Sequence, residues 1–184
     1  MMTSVFKSQI PAMEKSDFLV MFEPVGATAQ PIVITQNEFM RRMKDMAAIQ
    51  SGMAFYGELP DSYNLIVNTD HPLSQKVIAD TESACKSELT PILDELKTVN
   101  EEIERLQEAK KDKKDDEIPV ADKEALKHAE EKAKELRAKE SYILKTYADQ
   151  TPLVRQLVDL ALLSNNMLKG EALSKFIKRS VEML

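Results

Sequence analysis

Tryptophan is absent from this chain, cysteine occurs once, histidine twice and glycine four times. Each shortage closes a class of answers. A single cysteine, Cys85, allows no internal disulfide framework, so a reducing, cytoplasmic setting is expected. Four glycines and 5% aromatics in 184 residues are too few for a turn-dense sandwich or barrel, and 30% charged residues favour long helices instead. There is no glycine-rich phosphate loop and no Gly-x-Ser-x-Gly elbow. His71 and His128 lie on different units, and with Cys85 they make no set of metal-ligand spacing. Acidic residues alternate with lysines, as on a solvated face, and offer no acid, base or nucleophile at useful spacing. No catalytic residue, cofactor site or metal site is therefore expected in this chain, and Cys85 reads as an inert thiol. No run approaches the roughly 18 apolar residues of a membrane span, and Lys7, Glu14 and Lys15 leave no room for a signal-peptide core. A net charge of −6 without a basic cluster argues against nucleic acid as a partner. The opening Met1-Met2 reads as a junction, as if the chain were a piece of something longer.

What the chain has is methionine, ten in all, four of them between residues 40 and 53. Thr35-Gln36-Asn37-Glu38 reads as a capping box with Thr35 as N-cap. Behind it Phe39, Met40, Met43, Met46 and Ala47 fall within one helical stripe about 120° wide, opposite Arg41, Arg42, Lys44 and Asp45. Such a stripe is either ordinary core or a face that repacks against many partners, because methionine is unbranched and polarizable. Met53 and Phe55 extend the apolar character between Gly52 and Gly57.

A short helix is expected around Val5 and Phe6, ending by Pro11. Strands are expected at Asp17–Phe22, Pro31–Ile34 and Tyr63–Asn68, and a helix starts at Asp70-His71-Pro72 with Pro72 near its first position and His71 a capping neighbour. Three strands with interleaved helices make a small α+β unit. From Leu89 the period changes. Leu89, Ile92, Leu96, Val99, Ile103 and Leu106 form one heptad stripe, and Leu126, Ala129, Ala133, Leu136, Glu140, Ile143 and Tyr147 a second. The charged run Lys110–Glu117 and Pro119 between them read as the tip of an antiparallel hairpin. Arms of roughly 25–30 residues would project about 40 Å. Thr90-Pro91 suggests that the first arm starts there. Thr151-Pro152 opens another helix with Leu153, Val154, Leu157, Leu160 and Ala161 on one face, and Asn165-Asn166 stops it. A last helix carries Leu173, Phe176, Ile177, Val181 and Leu184. These two faces either fold onto the domain or pair with a second copy as a four-helix bundle.

The order of elements resembles the C-terminal domain of bacterial heat-shock protein 90 chaperones, the HtpG group. The residues that carry the resemblance are Ile32-Val33-Ile34-Thr35 running into Glu38-Phe39-Met40-Arg41-Arg42-Met43, then Tyr56 to Leu73 with its Asn68-Thr69-Asp70-His71-Pro72, and finally Leu157 to Leu163 with Gly170 and Phe176-Ile177-Lys178-Arg179. The resemblance implies three parts: an α+β core at 1–82, an inserted coiled-coil hairpin at 83–147 and dimerisation helices at 148–184. It implies a homodimer whose seam holds Leu153, Leu157, Leu160, Ala161, Leu173, Phe176, Ile177 and Val181. It further implies that Phe39, Met40, Met43, Met46, Met53 and Phe55 contact non-native client proteins, which favours the binding-face reading of the methionine stripe. ATP and Mg would belong to other domains of the full-length family. The ending Val181-Glu182-Met183-Leu184 lacks the acidic pentapeptide of cytosolic eukaryotic relatives, which fits a bacterial member. The competing reading is a coiled-coil scaffold or adaptor in which the hairpin itself binds the partner.

Overall fold

The computed structural model describes residues 2–13, 16–36, 38–49, 60–111 and 119–183. Among the described residues six helices and a three-stranded sheet run in the order α1 (Met2–Lys7), β1 (Ser16–Glu23), β2 (Ile32–Gln36), α2 (Glu38–Ile49), β3 (Asp61–Asn68), α3 (Pro72–Glu108), α4 (Val120–Gln150), α5 (Pro152–Ser164) and α6 (Gly170–Glu182). The expected α+β class and all three strands are present.

The strand order is β1-β3-β2. β1 pairs parallel to β3, with Ser16 opposite Asp61 and Glu23 opposite Asn68, and β2 pairs antiparallel, with Ile32 opposite Val67. Alternation sends Phe18, Val20, Ile32, Ile34, Leu65 and Val67 to one face, where all are buried. α1, α4 and α5 cover that face; Phe6 meets Phe22 edge-on at 5.9 Å and Phe18 stacks on Tyr63 at 5.3 Å. Val154, Leu157, Val158, Ala161 and Leu162 of α5 complete this core.

Asn68, fully buried at the end of β3, ties the loops around the sheet. Its Oδ1 accepts from Val25 N and Asp70 N, and its Nδ2 donates to the carbonyls of Gly26 and Gln30. Asp70 takes the N–H of Gly26, whose φ of 100° suits glycine. His71 is itself the N-cap of α3, its Nδ1 accepting from Leu73 N at 3.1 Å, with Pro72 in the first turn.

Two expectations need correction. Thr35 and Gln36 continue β2, with Thr35 opposite Asn64, and α2 begins at Glu38, so Thr35 belongs to the strand and is not the residue before the helix. α3 also does not start at Thr90-Pro91; it runs unbroken for 37 residues with Pro91 inside it, and the Thr90 hydroxyl donates back to the Lys86 carbonyl. An interior proline costs about 3 kcal/mol. The helix is pinned on both sides of it, by Cys85 and Leu89 in the main core and by Leu96 and Val99 against α4.

α3 and α4 form the expected antiparallel hairpin. Leu96, Val99, Ala129, Ala133 and Leu136 make a second, separate core flanked by Ile92 and Ile103, with Lys132 reaching Glu95 at 2.7 Å outside it. The heptad stripes serve both cores: Leu89, Ile143 and Tyr147 pack into the main body, not the hairpin seam. Burial raises the Cys85 thiol above its ordinary pKa, with the Glu88 charge adding to it.

Candidate functional site

α2 follows the edge strand β2, and among the described residues none of its side chains belongs to either core. On its stripe Phe39 is 66% exposed, Met46 is exposed, and Met40 and Met43 are half-buried. Ile49 is more exposed still. The opposite side is held by surface pairs: Glu38 with Arg41 at 3.4 Å and with Arg42 at 2.8 Å, and Arg41 with Asp45 at 3.3 Å. Such exposed i,i+3 and i,i+4 pairs contribute about 0.3–0.5 kcal/mol each. Lys44 of α2 reaches Asp61 at the start of β3 in an ion pair of 2.7 Å, side chain to side chain. Met53 and Phe55 lie outside the described residues.

α5 and α6 present a second apolar face. Of the eight seam residues named from sequence, Leu157, Ala161 and Phe176 are buried within the chain's own core, and Leu153 and Leu173 pack partly against it. Leu160, Ile177 and Val181 point elsewhere: Ile177 is 54% and Val181 66% exposed, and Leu160 is exposed as well. Met183 extends the exposed apolar series.

Between these helices lies a charged network that sequence reasoning missed. Asp159 of α5 is 1% exposed, and its Oδ2 accepts from Arg155 Nε at 3.1 Å and from Arg179 Nη2 of α6. Arg155 also donates to the Gln9 carbonyl at 2.7 Å, and Arg179 Nε donates to Gln156 Oε1 at 3.0 Å. Gln156 in turn bonds the Ser180 hydroxyl. The group borders a cleft of about 490 Å³ shared by α4, α5 and α6. Nearby, Lys145 and then Gln9 hold the Asp149 carboxyl below its ordinary pKa. The sequence signal was a lone carboxylate within an otherwise apolar run, Leu157-Val158-Asp159-Leu160-Ala161.

Among the described residues no three His, Cys, Asp or Glu side chains gather as a metal site, and no helix is long and apolar enough to cross a membrane. His71 is taken up as a cap and His128 lies exposed on the hairpin.

No family model and no solved structure matches the chain. Curated relatives do. The chain is 48% identical over 182 residues to the chaperone protein HtpG of Bacteroides thetaiotaomicron, covering 99% of this chain. It is 48% identical over 183 residues to that of Bacteroides fragilis and 46% over 184 to that of Porphyromonas gingivalis, covering all of this chain in both. The hairpin is thus inside the matched region. The chain spans 27% of the length of these relatives, in their C-terminal portion. Over its whole length the chain belongs to the HtpG chaperones, the bacterial heat-shock protein 90 family.

Proposed function

We propose that this chain is the dimerisation and client-contact module of an ATP-dependent, cytoplasmic HtpG-type chaperone, with α2 as the client face and α5–α6 as the seam between two copies. The observation that carries the reading is the pair of apolar helix faces left outside the chain's own cores, Phe39 and Met46 on α2 and Leu160, Ile177 and Val181 on α5–α6. A second copy related by a two-fold axis would bring the same residues face to face, as an isologous interface requires. Mobile, polarizable methionines on a weakly anchored helix suit non-native segments of varied sequence. In this reading the hairpin is an insertion that serves neither face, and ATP and Mg act in parts of the full-length protein beyond this module.

The test is solution mass by light scattering across a concentration series, together with titration of a permanently unfolded polypeptide. A mass near twice 20.8 kDa and saturable binding support the proposal. A monomer at all concentrations overturns the seam, and absence of binding overturns the client face.

A further inference from the structure

We infer that Asp159 is a positioning residue for self-association: it fixes the pose of α6 so that Ile177 and Val181 stand beside Leu160 for a second copy. The inference rests on the dimer reading above. α6 has one buried apolar anchor, Phe176, with Ala172 and Leu173 only partly covered. Its polar side chains reach across to α5: Arg179 bonds Asp159 and Gln156, and Ser180 receives Gln156 while donating to the Phe176 carbonyl of its own helix. One apolar anchor and two partly covered neighbours fasten a helix without setting its rotation. Directional bonds set it, because charge-assisted contacts to a fixed carboxylate tolerate little angular change.

The carboxylate is itself placed by α5 and the turn after α1, since Arg155 bridges it to the Gln9 carbonyl. Asp159 thus relays the body's frame to α6, while Leu160, next to it on α5, stays exposed. Stability alone does not account for a charge here. Asp159 Oδ1 is buried with no hydrogen-bond partner among the described residues. A buried carboxylate half satisfied is a poor source of stability, and a well-packed apolar residue would serve that end better. A buried ionic group that fixes one arrangement of two helices has a specificity role instead.

The experiment compares the chain with its Asp159→Asn and Arg179→Met variants by sedimentation or light scattering across a concentration series. Amide exchange is read in parallel at monomer dilution. Arg179→Met leaves Asp159 paired with Arg155 and keeps most of the side-chain volume, so it preserves the fold if Asp159→Asn does not. The expected result is a dimer dissociation constant weakened about tenfold or more in Arg179→Met, since the apparent affinity falls with the fraction of molecules whose α6 keeps the competent pose. Exchange should speed up in residues 170–182 while α3 and α4 keep their protection. A folded Arg179→Met variant whose dimer constant stays within about threefold of the parent chain, or whose exchange rises equally everywhere, overturns the positioning role. A parent chain that stays monomeric overturns the dimer reading and this inference with it.

Discussion

Two amphipathic helices, α2 and α6, both leave apolar residues in water, yet they are held in opposite ways. α6 is locked to α5 by Phe176 and by a buried carboxylate shared between two arginines. α2 has no described residue in either core; its pairs along the helix are exposed, and it is tied to the sheet by the partly buried pair of Lys44 with Asp61. A fixed face suits one partner of fixed shape, such as a second copy. A loosely held face rich in methionine suits partners that differ from one another. The same kind of sequence stripe therefore supports two uses, and what separates them is the anchoring behind the helix.

The strongest way to break this comparison is to charge the fixed face. Ile177→Glu with Val181→Glu should leave the chain folded, because both side chains are exposed in the single chain. It should weaken self-association by about a hundredfold or more, through lost burial of about 1.5–3 kcal/mol per side chain and uncompensated buried charge. Leu160→Glu should act the same way, and a variant still dimeric at micromolar concentration would remove α6 from the seam. Next in size is the mobile face. Met43→Ser with Met46→Ser should weaken binding of an unfolded polypeptide by about tenfold, and the melting temperature should move by less than about 5 °C. A fall of about ten degrees or more would show that α2 carries core after all.

Much of this arrangement was legible beforehand, and the misses share a cause. Short apolar runs between turn residues found the strands and heptad spacing found the hairpin, because both patterns are set by local burial. The order β1-β3-β2 was not legible: placing β3 between the other two depends on which faces the helices cover, not on any strand's own residues. Thr35 and Pro91 misled for a related reason. Each is a good local signal, for a helix start, overridden by pairing with Asn64 in one case and by packing on both sides of the proline in the other. The methionine stripe was visible, but its exposure depends on what lies opposite. Asp159 was hidden by its neighbours, since a carboxylate in an apolar run gives no hint of arginines 4 and 20 residues further back or forward along the chain.

The hairpin sharpens the comparison by standing outside it. Its own core, from Leu96 and Val99 to Ala129, Ala133 and Leu136, is separate from the main one. Cutting at 90 and 146 would remove Ile143 and Leu144, which belong to the body. Excising 92–140 with a short turn spares them and deletes only the satellite core. The variant should remain a dimer, and its dimer dissociation constant and its binding of the unfolded polypeptide should both stay within about threefold of the parent chain. Loss of partner binding with the dimer intact would instead move the function onto the hairpin, as a scaffold or adaptor requires.

The smallest expected effect is one of pH, and it tests how firmly α4 frames the clamp. Lys145 and Gln9 lower the Asp149 pKa in the folded chain. A carboxyl depressed by folding adds stability above its unfolded pKa and loses it as pH falls through the folded value. The contribution should therefore be whole near neutrality and fade only at acid pH, below the ordinary carboxylate range. Asp149→Asn should flatten that acid limb slightly while leaving the melting temperature near pH 7 a little lower than in the parent chain. Because Asp149 is exposed to solvent, salt should shrink the difference. An acid limb unchanged by the substitution would mean that Asp149 does not help to hold Gln9, and that the turn after α1, not α4, sets the frame in which Asp159 sits.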